Sequence, residues 1–141
     1  MDLPKNYFDL ILNEFKEVQG LCGKAETRDD ALYYFSALYG VLNRVMNFSC
    51  DPVLIFMHQV LQATHKAVAE RMAIPIKPGT TSNGVTDEMW QALFSYIPLL
   101  IDAFEKKDEN EIRQVLQKFA NLSYATTGNG RYLQLRGRLN L

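Results

Sequence analysis

The sequence has only two cysteines, Cys22 and Cys50, and they form neither a CxxC motif nor a metal-ligand spacing. They flank a predicted helix of about 22 residues, which would hold them about 30 Å apart, whereas a disulfide requires Cα atoms within about 7 Å of each other. We therefore expect two free thiols, as is usual in a reducing compartment.

Long apolar runs are also missing. The stretch YIPLLI, residues 96–101, is far shorter than the roughly 20 residues that a membrane-spanning helix needs. The first residues, MDLPKNYFDLILNEF, include acidic side chains and show neither the basic start nor the small-residue cleavage site of a signal peptide. The sequence therefore predicts a cytoplasmic protein that does not bind membranes.

There is no excess of one charge, because 15 basic residues face 16 acidic ones and leave a net charge of -1. A nucleic-acid-binding domain usually has a pI above about 9 and clustered basic residues, so this balance argues against that function. The 141 residues fit one domain. A chain of this size buries about 68% of its unfolded surface and needs no disulfide or structural metal to fold.

Motifs that carry chemistry are missing as well. We find no P-loop, nucleophile elbow or dinucleotide fingerprint, and the single G-x-G, GNG at 128–130, follows a predicted helix rather than a strand. His58 and His65 are seven residues apart, about 10.5 Å along a helix, which is too far for both to bind one metal ion. We therefore expect no cofactor and no metal, and a non-catalytic protein is favoured over an enzyme.

Helical periodicity dominates what is present. Five amphipathic segments each have their own start signal, which is a proline near the first turn or an N-capping Thr or Asp. These signals are Pro4, Thr27, Asp51 followed by Pro52, Thr86, and Asp108. Residues 74–84, IPIKPGTTSNG, predict a loop. The sequence therefore predicts one all-α domain, a five-helix antiparallel bundle over residues 1–127 with a short extended C-terminal arm over residues 128–141.

Two helices have features of their own. The second is apolar over more than half of its circumference, and Arg44 is its only charge beyond the first turn. Such a helix is usually buried, so we predict that it is the most buried helix and lies at the centre of the bundle, with Leu38 and Leu42 in the core. Pro98 falls inside the fourth helix, where it predicts a kink.

Polar residues of the second and third helices form a candidate ligand site. If these helices make an antiparallel hairpin, Arg44 is level with His58, and a polar seam could line a pocket for a small anion, with Arg44 as its fixed charge. The alternatives are that the seam faces solvent, or that Gly40 allows another helix to approach closely. The seam residues are Asn43, Arg44, Asn47, His58, Gln62 and His65.

Paired carboxylates are a weaker candidate for chemistry. The pairs Glu14 with Glu17 and Asp102 with Glu105 have the i, i+3 spacing that could bind a divalent metal. Such a site needs three or four carboxylates that face inward, and Glu17 and Asp102 lie on the polar sides of their helices. We therefore interpret these acids as solvated surface charges.

The C-terminal arm has a different pattern, because apolar and polar residues alternate from Leu133 to Leu141. Alternation is typical of a strand, although a helical continuation is an alternative, since Tyr132, Leu135 and Leu139 also fit helical spacing. Either form would expose leucines unless they are covered, so we predict a homodimer with the arm in its interface. The candidate interface residues are Leu133, Leu135, Arg136, Arg138, Leu139 and Leu141.

Three functions follow from these patterns. The favoured one is a non-catalytic helical protein that acts by homo-oligomerisation or by binding a protein partner. The first alternative is a small-molecule binding protein or enzyme that uses Arg44 and His58 in the polar seam. The second alternative is weak contact of the arm with nucleic acid through its arginines, which could equally serve to prevent unwanted strand pairing.

Overall fold

The computed structural model describes residues 1–73 and 85–126, which form five α-helices. All five predicted helices are confirmed, and so is the all-α class. The predicted loop over residues 74–84 and the predicted arm over residues 128–141 lie outside the described residues. The helices are α1 (Lys5–Lys24), α2 (Arg28–Met46), α3 (Pro52–Met72), α4 (Asp87–Glu105) and α5 (Glu109–Thr126).

Four of the helices begin at the capping residue that the sequence predicted. In each case a side-chain oxygen accepts a hydrogen bond from a backbone N–H of the first turn, which otherwise has no partner in the helix. α1 begins after Pro4 without a side-chain cap. The four bonds join Thr27 to Asp30 (3.1 Å), Asp51 to Val53 (2.8 Å), Thr86 to Met89 (3.2 Å) and Asp108 to Glu111 (3.1 Å).

The five helices form a closed ring. Each helix packs against two neighbours, in the order α1, α2, α3, α5, α4 and back to α1. α5 therefore lies between α3 and α4, and α4 closes the ring against α1. None of the helices that the structure describes is long and apolar enough to cross a membrane.

Contacts at one end of the bundle show that three helices begin there. The Met1 amino group, just before α1, forms an ion pair with Glu109, the first residue of α5. The backbone N–H of Asp2 donates to a carboxylate oxygen of Asp51, the cap of α3, at 2.9 Å. α1, α3 and α5 therefore start at the same end and run in the same direction.

Contacts at the opposite end show where α2 and α4 begin. The guanidinium group of Arg28, the first residue of α2, donates to the backbone carbonyl of Val85 at 3.3 Å and to the carboxylate of Asp87, the first residue of α4. Neighbouring helices in the ring are therefore antiparallel, as predicted, except that α3 and α5 are parallel. A closed ring with an odd number of helices cannot alternate in direction throughout.

The core inside this ring is built from side chains of all five helices. Phe35 of α2 is fully buried, and its ring lies 6.1 Å from that of His65, 6.2 Å from Phe94 and 6.0 Å from Phe119, measured between centroids. These three partners belong to α3, α4 and α5, so Phe35 joins α2 to three other helices. Leu38 and Leu42 are fully buried, as predicted.

The predicted position of α2 at the centre of the bundle is wrong. α2 has two helical neighbours, as every other helix in the ring does, and its outer face reaches the surface, where Tyr33 is 73% exposed. Tyr34 and Tyr39 make the helix look apolar nearly all round, but both are only partly buried, since a tyrosine hydroxyl group can remain in water. α2 nevertheless has more buried residues than any other helix, seven, among the side chains that the structure describes.

The helix α4 is continuous through Pro98, which lies on its exposed side. The kink expected at this residue stays a prediction. The C-terminal half of α4 closes the ring through Phe104, whose ring stacks on Phe8 of α1 at 4.8 Å and contacts Phe15 at 5.6 Å. The ring of helices is therefore closed by aromatic packing between α1 and α4.

Candidate functional site

The polar residues between α2 and α3 gather around Tyr39. Its ring lies between the two histidines of α3, with centroids 6.0 Å from His58 and 5.5 Å from His65, and meets both at steep angles. The predicted antiparallel hairpin of α2 and α3 brings these three side chains together, because residue numbers in contact on the two helices sum to about 100. Sequence analysis placed both histidines in the seam but treated Tyr39 only as an apolar position.

His65 is held by hydrogen bonds at both ring nitrogens. Nε2 lies 3.0 Å from the backbone carbonyl of Leu32, and since a carbonyl can only accept, Nε2 is the nitrogen that carries the proton. Nδ1 then accepts from the Tyr39 hydroxyl at 3.3 Å. Burial lowers the pKa of His65, although the bond to Leu32 acts in the opposite direction. Burial also raises the pKa of Tyr39. Both groups are therefore held in their neutral forms.

A pH dependence of stability follows from His65, whose ordinary pKa is 6.5. Because its folded pKa is lowered, the unfolded chain binds a proton at a higher pH than the folded chain does. This contribution is therefore complete above the ordinary pKa and is lost as the pH falls below it toward the folded pKa. We expect the free energy of unfolding to fall less between about pH 8 and about pH 5 in His65→Gln, which does not titrate, than in the unaltered chain. Urea unfolding of both proteins at both pH values measures the decrease in the free energy of unfolding of each. Equal decreases would show that His65 is not a source of the pH dependence.

The structure divides the predicted polar seam into two parts. The guanidinium of Arg44 forms an ion pair with Glu14 of α1 at 3.4 Å, so its charge is directed toward α1 rather than toward the histidines. Asn43 of α2 and Asn47, the C-cap of that helix, are exposed. Gln62 and His65 line a separate open groove of about 630 Å³ along the outer face of α3. The residues lining that groove are Tyr39, Gln59, Gln62, Ala63, His65, Lys66, Ala69 and Glu70.

Arg44 and His58 have different neighbours, because Arg44 is paired with Glu14 and His58 contacts Tyr39. The groove along α3 has the cation Lys66 at its edge, and Lys66 is paired with Glu70 at 3.9 Å. Its central polar groups, Tyr39 and His65, are hydrogen-bonded to each other. The role of the seam residues in ligand binding stays a prediction.

A second groove lies between the parallel helices α3 and α5. It encloses about 440 Å³. Ile112, which is fully buried, forms part of its floor, and the aromatic ring of Phe56 stands at its side with 45% of the residue exposed. The residues that line this groove, called the α3–α5 groove below, are Pro52, Val53, Phe56, Ile112, Arg113 and Gln117.

The α3–α5 groove is not predicted by the sequence patterns, because the groove depends on packing between helices that are not consecutive in the chain. One signal was present: Phe56 is a large aromatic residue outside the apolar stripe of α3. Residues 52 and 53 at the start of α3 and residue 112 in α5 are brought together only by the closure of the ring. An apolar groove of this kind is typical of a binding surface.

The cysteine thiols and the possible metal ligands of the chain do not form a reactive site in the described residues. Burial raises the pKa of the Cys22 thiol to about 11, which makes it a poor nucleophile at neutral pH. Both Cys22 and Cys50 are free thiols, as predicted. In residues 1–73 and 85–126, no group of three or more His, Cys, Asp or Glu side chains is arranged to hold a metal ion. Among the side chains of residues 1–73 and 85–123, every buried nitrogen and oxygen atom has a hydrogen-bond partner.

The paired carboxylates are surface groups, as interpreted from the sequence. Glu105 pairs with Lys16 of α1 at 3.3 Å, and Asp102 pairs with Lys106 at 2.8 Å. Glu17 is exposed. The ion pairs of Glu105 and Asp102 are exposed, and each stabilises the fold by at most about 1 kcal/mol.

The chain has no match among protein-family models, curated proteins or solved structures. The candidate interface residues of the arm, 133–141, lie outside the described residues.

Proposed function

We propose that this protein is a non-catalytic helical binding protein that acts in the cytoplasm as a homodimer, with the C-terminal arm in the subunit interface. The observation that carries this proposal is the α3–α5 groove, where Phe56 stands 45% exposed beside a buried apolar floor. Single exposed apolar side chains are normal on protein surfaces, but an aromatic residue in an apolar groove is typical of an interaction site.

The polar groups of the bundle support a binding role rather than catalysis. His65, Tyr39 and Arg44 are engaged with other residues of the chain, as described above. The arm, in contrast, has four leucines within its last nine residues. Burial of these leucines in an interface would stabilise the dimer by about 1.5–3 kcal/mol for each side chain that is fully removed from water. A second copy of the chain is the simplest partner that can cover them.

Deletion of residues 131–141 tests the proposal. We expect the full-length protein to be a dimer at tens of micromolar and the shortened protein to be a monomer, because the deletion removes the apolar residues of the interface. Light scattering coupled to size exclusion measures both masses. A variant with Gln134 and Asn140 changed to alanine is the matched control, since it keeps the leucines and arginines of the arm and should still dimerise.

Two results would contradict the proposal. One is a full-length protein that is monomeric at tens of micromolar. The other is a shortened protein that stays dimeric with an unchanged circular-dichroism spectrum.

A further inference from the structure

We infer that the α3–α5 groove is the site that receives the C-terminal arm of a second copy of this chain. The inference rests on the proposed function and adds to it the surface that the arm occupies. The groove has a volume of about 440 Å³ and lies between two parallel helices. Val53 and Ile112 supply its apolar surface, and Phe56 forms one side.

The apolar residues of the arm match this surface. In an extended arm, Leu133, Leu135, Leu139 and Leu141 lie on one side, so that several leucines can enter a groove together. In a helical arm, Leu135 and Leu139 share a face, which also presents two leucines to one groove. The match therefore does not depend on the secondary structure of the arm.

The charges of the arm match one end of the groove. Residues 127–141 contain three arginines and no acidic residue. The start of α5, just before the groove-lining Ile112, has Asp108 as its cap and Glu109 and Glu111 in its first turn. Glu109 is paired with the Met1 amino group, and Glu111 lies 3.9 Å from Lys106. An arm with its leucines in the groove can place Arg136 or Arg138 near this acidic turn.

A second copy is the occupant we infer, because the arm leaves its own α5 at the far end of the bundle from the groove. α5 runs from Glu109, at the groove end, to Thr126. The lining residues 112 and 117 lie about 14–21 Å back along the helix from residue 126. To fill its own groove the arm would have to reverse direction directly after α5. Exchange between two copies related by a twofold axis fills both grooves without that reversal.

Disulfide crosslinking between two chains, each with one introduced cysteine, tests the location of the arm. Both chains carry Cys50→Ser, which removes the exposed native thiol. One chain also carries Phe56→Cys, and the other carries Leu133→Cys, Leu135→Cys, Leu139→Cys or Leu141→Cys in turn. We expect mixed, mildly oxidised samples to give a covalent dimer on a non-reducing gel with at least one arm position. Tyr33→Cys, at a more exposed position on α2, replaces Phe56→Cys in the control and should give none.

The outcomes separate the inference from the proposed function. A disulfide that forms only when Phe56→Cys and the arm cysteine are in the same chain, and gives a monomer, would place the arm in its own groove and overturn the inference. The absence of any crosslink, with a deletion that still gives monomers, would overturn the groove as the receptor but leave the homodimer standing. A full-length protein that is already monomeric would overturn both.

Phe56→Asp provides a second measurement that does not depend on disulfide geometry. Phe56 is exposed, so the variant should fold, and its circular-dichroism spectrum should be unchanged. We expect its dimer dissociation constant to rise at least about tenfold, because a charged group replaces an apolar contact. Tyr33→Asp is the matched control and should dimerise as the unaltered chain does. An unchanged dissociation constant in Phe56→Asp would overturn the inference.

Discussion

Phe35→Ala should lower the free energy of unfolding by about 3–5 kcal/mol, which is the loss expected when a buried phenylalanine is truncated. Phe35 is fully buried, and its ring contacts rings of α3, α4 and α5. The substitution therefore leaves a cavity where four helices meet. Chemical denaturation of both proteins under the same conditions measures the difference.

Tyr33→Ala is the matched control for this experiment. Tyr33 lies two residues before Phe35 on the same helix but is 73% exposed, so its truncation should change the free energy of unfolding by less than about 0.5 kcal/mol. If Phe35→Ala had no larger effect than Tyr33→Ala, Phe35 would not be at the centre of the ring.

Leu38→Ala and Leu42→Ala should each lower the free energy of unfolding by about 2–5 kcal/mol through the lost transfer energy and the cavity left behind. Both leucines are fully buried on the inner face of α2. The control is Leu99→Ala in α4. Leu99 is 44% exposed, so its truncation should lower the free energy of unfolding much less. A loss below about 1 kcal/mol for both buried positions would place the inner face of α2 at the surface.

Local features of the sequence predicted the helices well. A cap such as Thr27 or Asp51 acts within three residues of itself, so its effect can be inferred without knowing the rest of the fold. The short connections likewise indicated which consecutive helices are antiparallel. Both kinds of signal involve neighbours in the chain, and for this reason they were visible in the sequence.

The order of the helices in the ring could not be predicted in the same way. It depends on the packing of α3 against α5 and of α4 against α1, which are not consecutive helices. The apolar circumference of α2 suggested a central helix, but two of the residues that form it, Tyr34 and Tyr39, are only partly buried. Periodicity shows which side of a helix is apolar and does not show which helix will cover it.

The candidate site was predicted in part. The predicted hairpin of α2 and α3 indicated which residues of α2 lie beside His58 and His65. In the structure both histidines contact α2 through the ring of Tyr39. The direction of Arg44 did not follow, since it depends on the rotation of α2 about its axis. The structure shows that this rotation pairs Arg44 with Glu14 of α1.

The closed ring has a consequence for folding kinetics. The contacts between α1 and α4 join distant parts of the chain, since the ion pair between Lys16 and Glu105 links residues that are 89 positions apart. Closing so long a loop costs conformational entropy before the aromatic contacts of Phe104 can form. Helical bundles with mainly local contacts fold fastest, whereas long-range contacts slow the search. We therefore expect the junction of α1 and α4 to form late in folding, after the local hairpins α1–α2, α2–α3 and α4–α5.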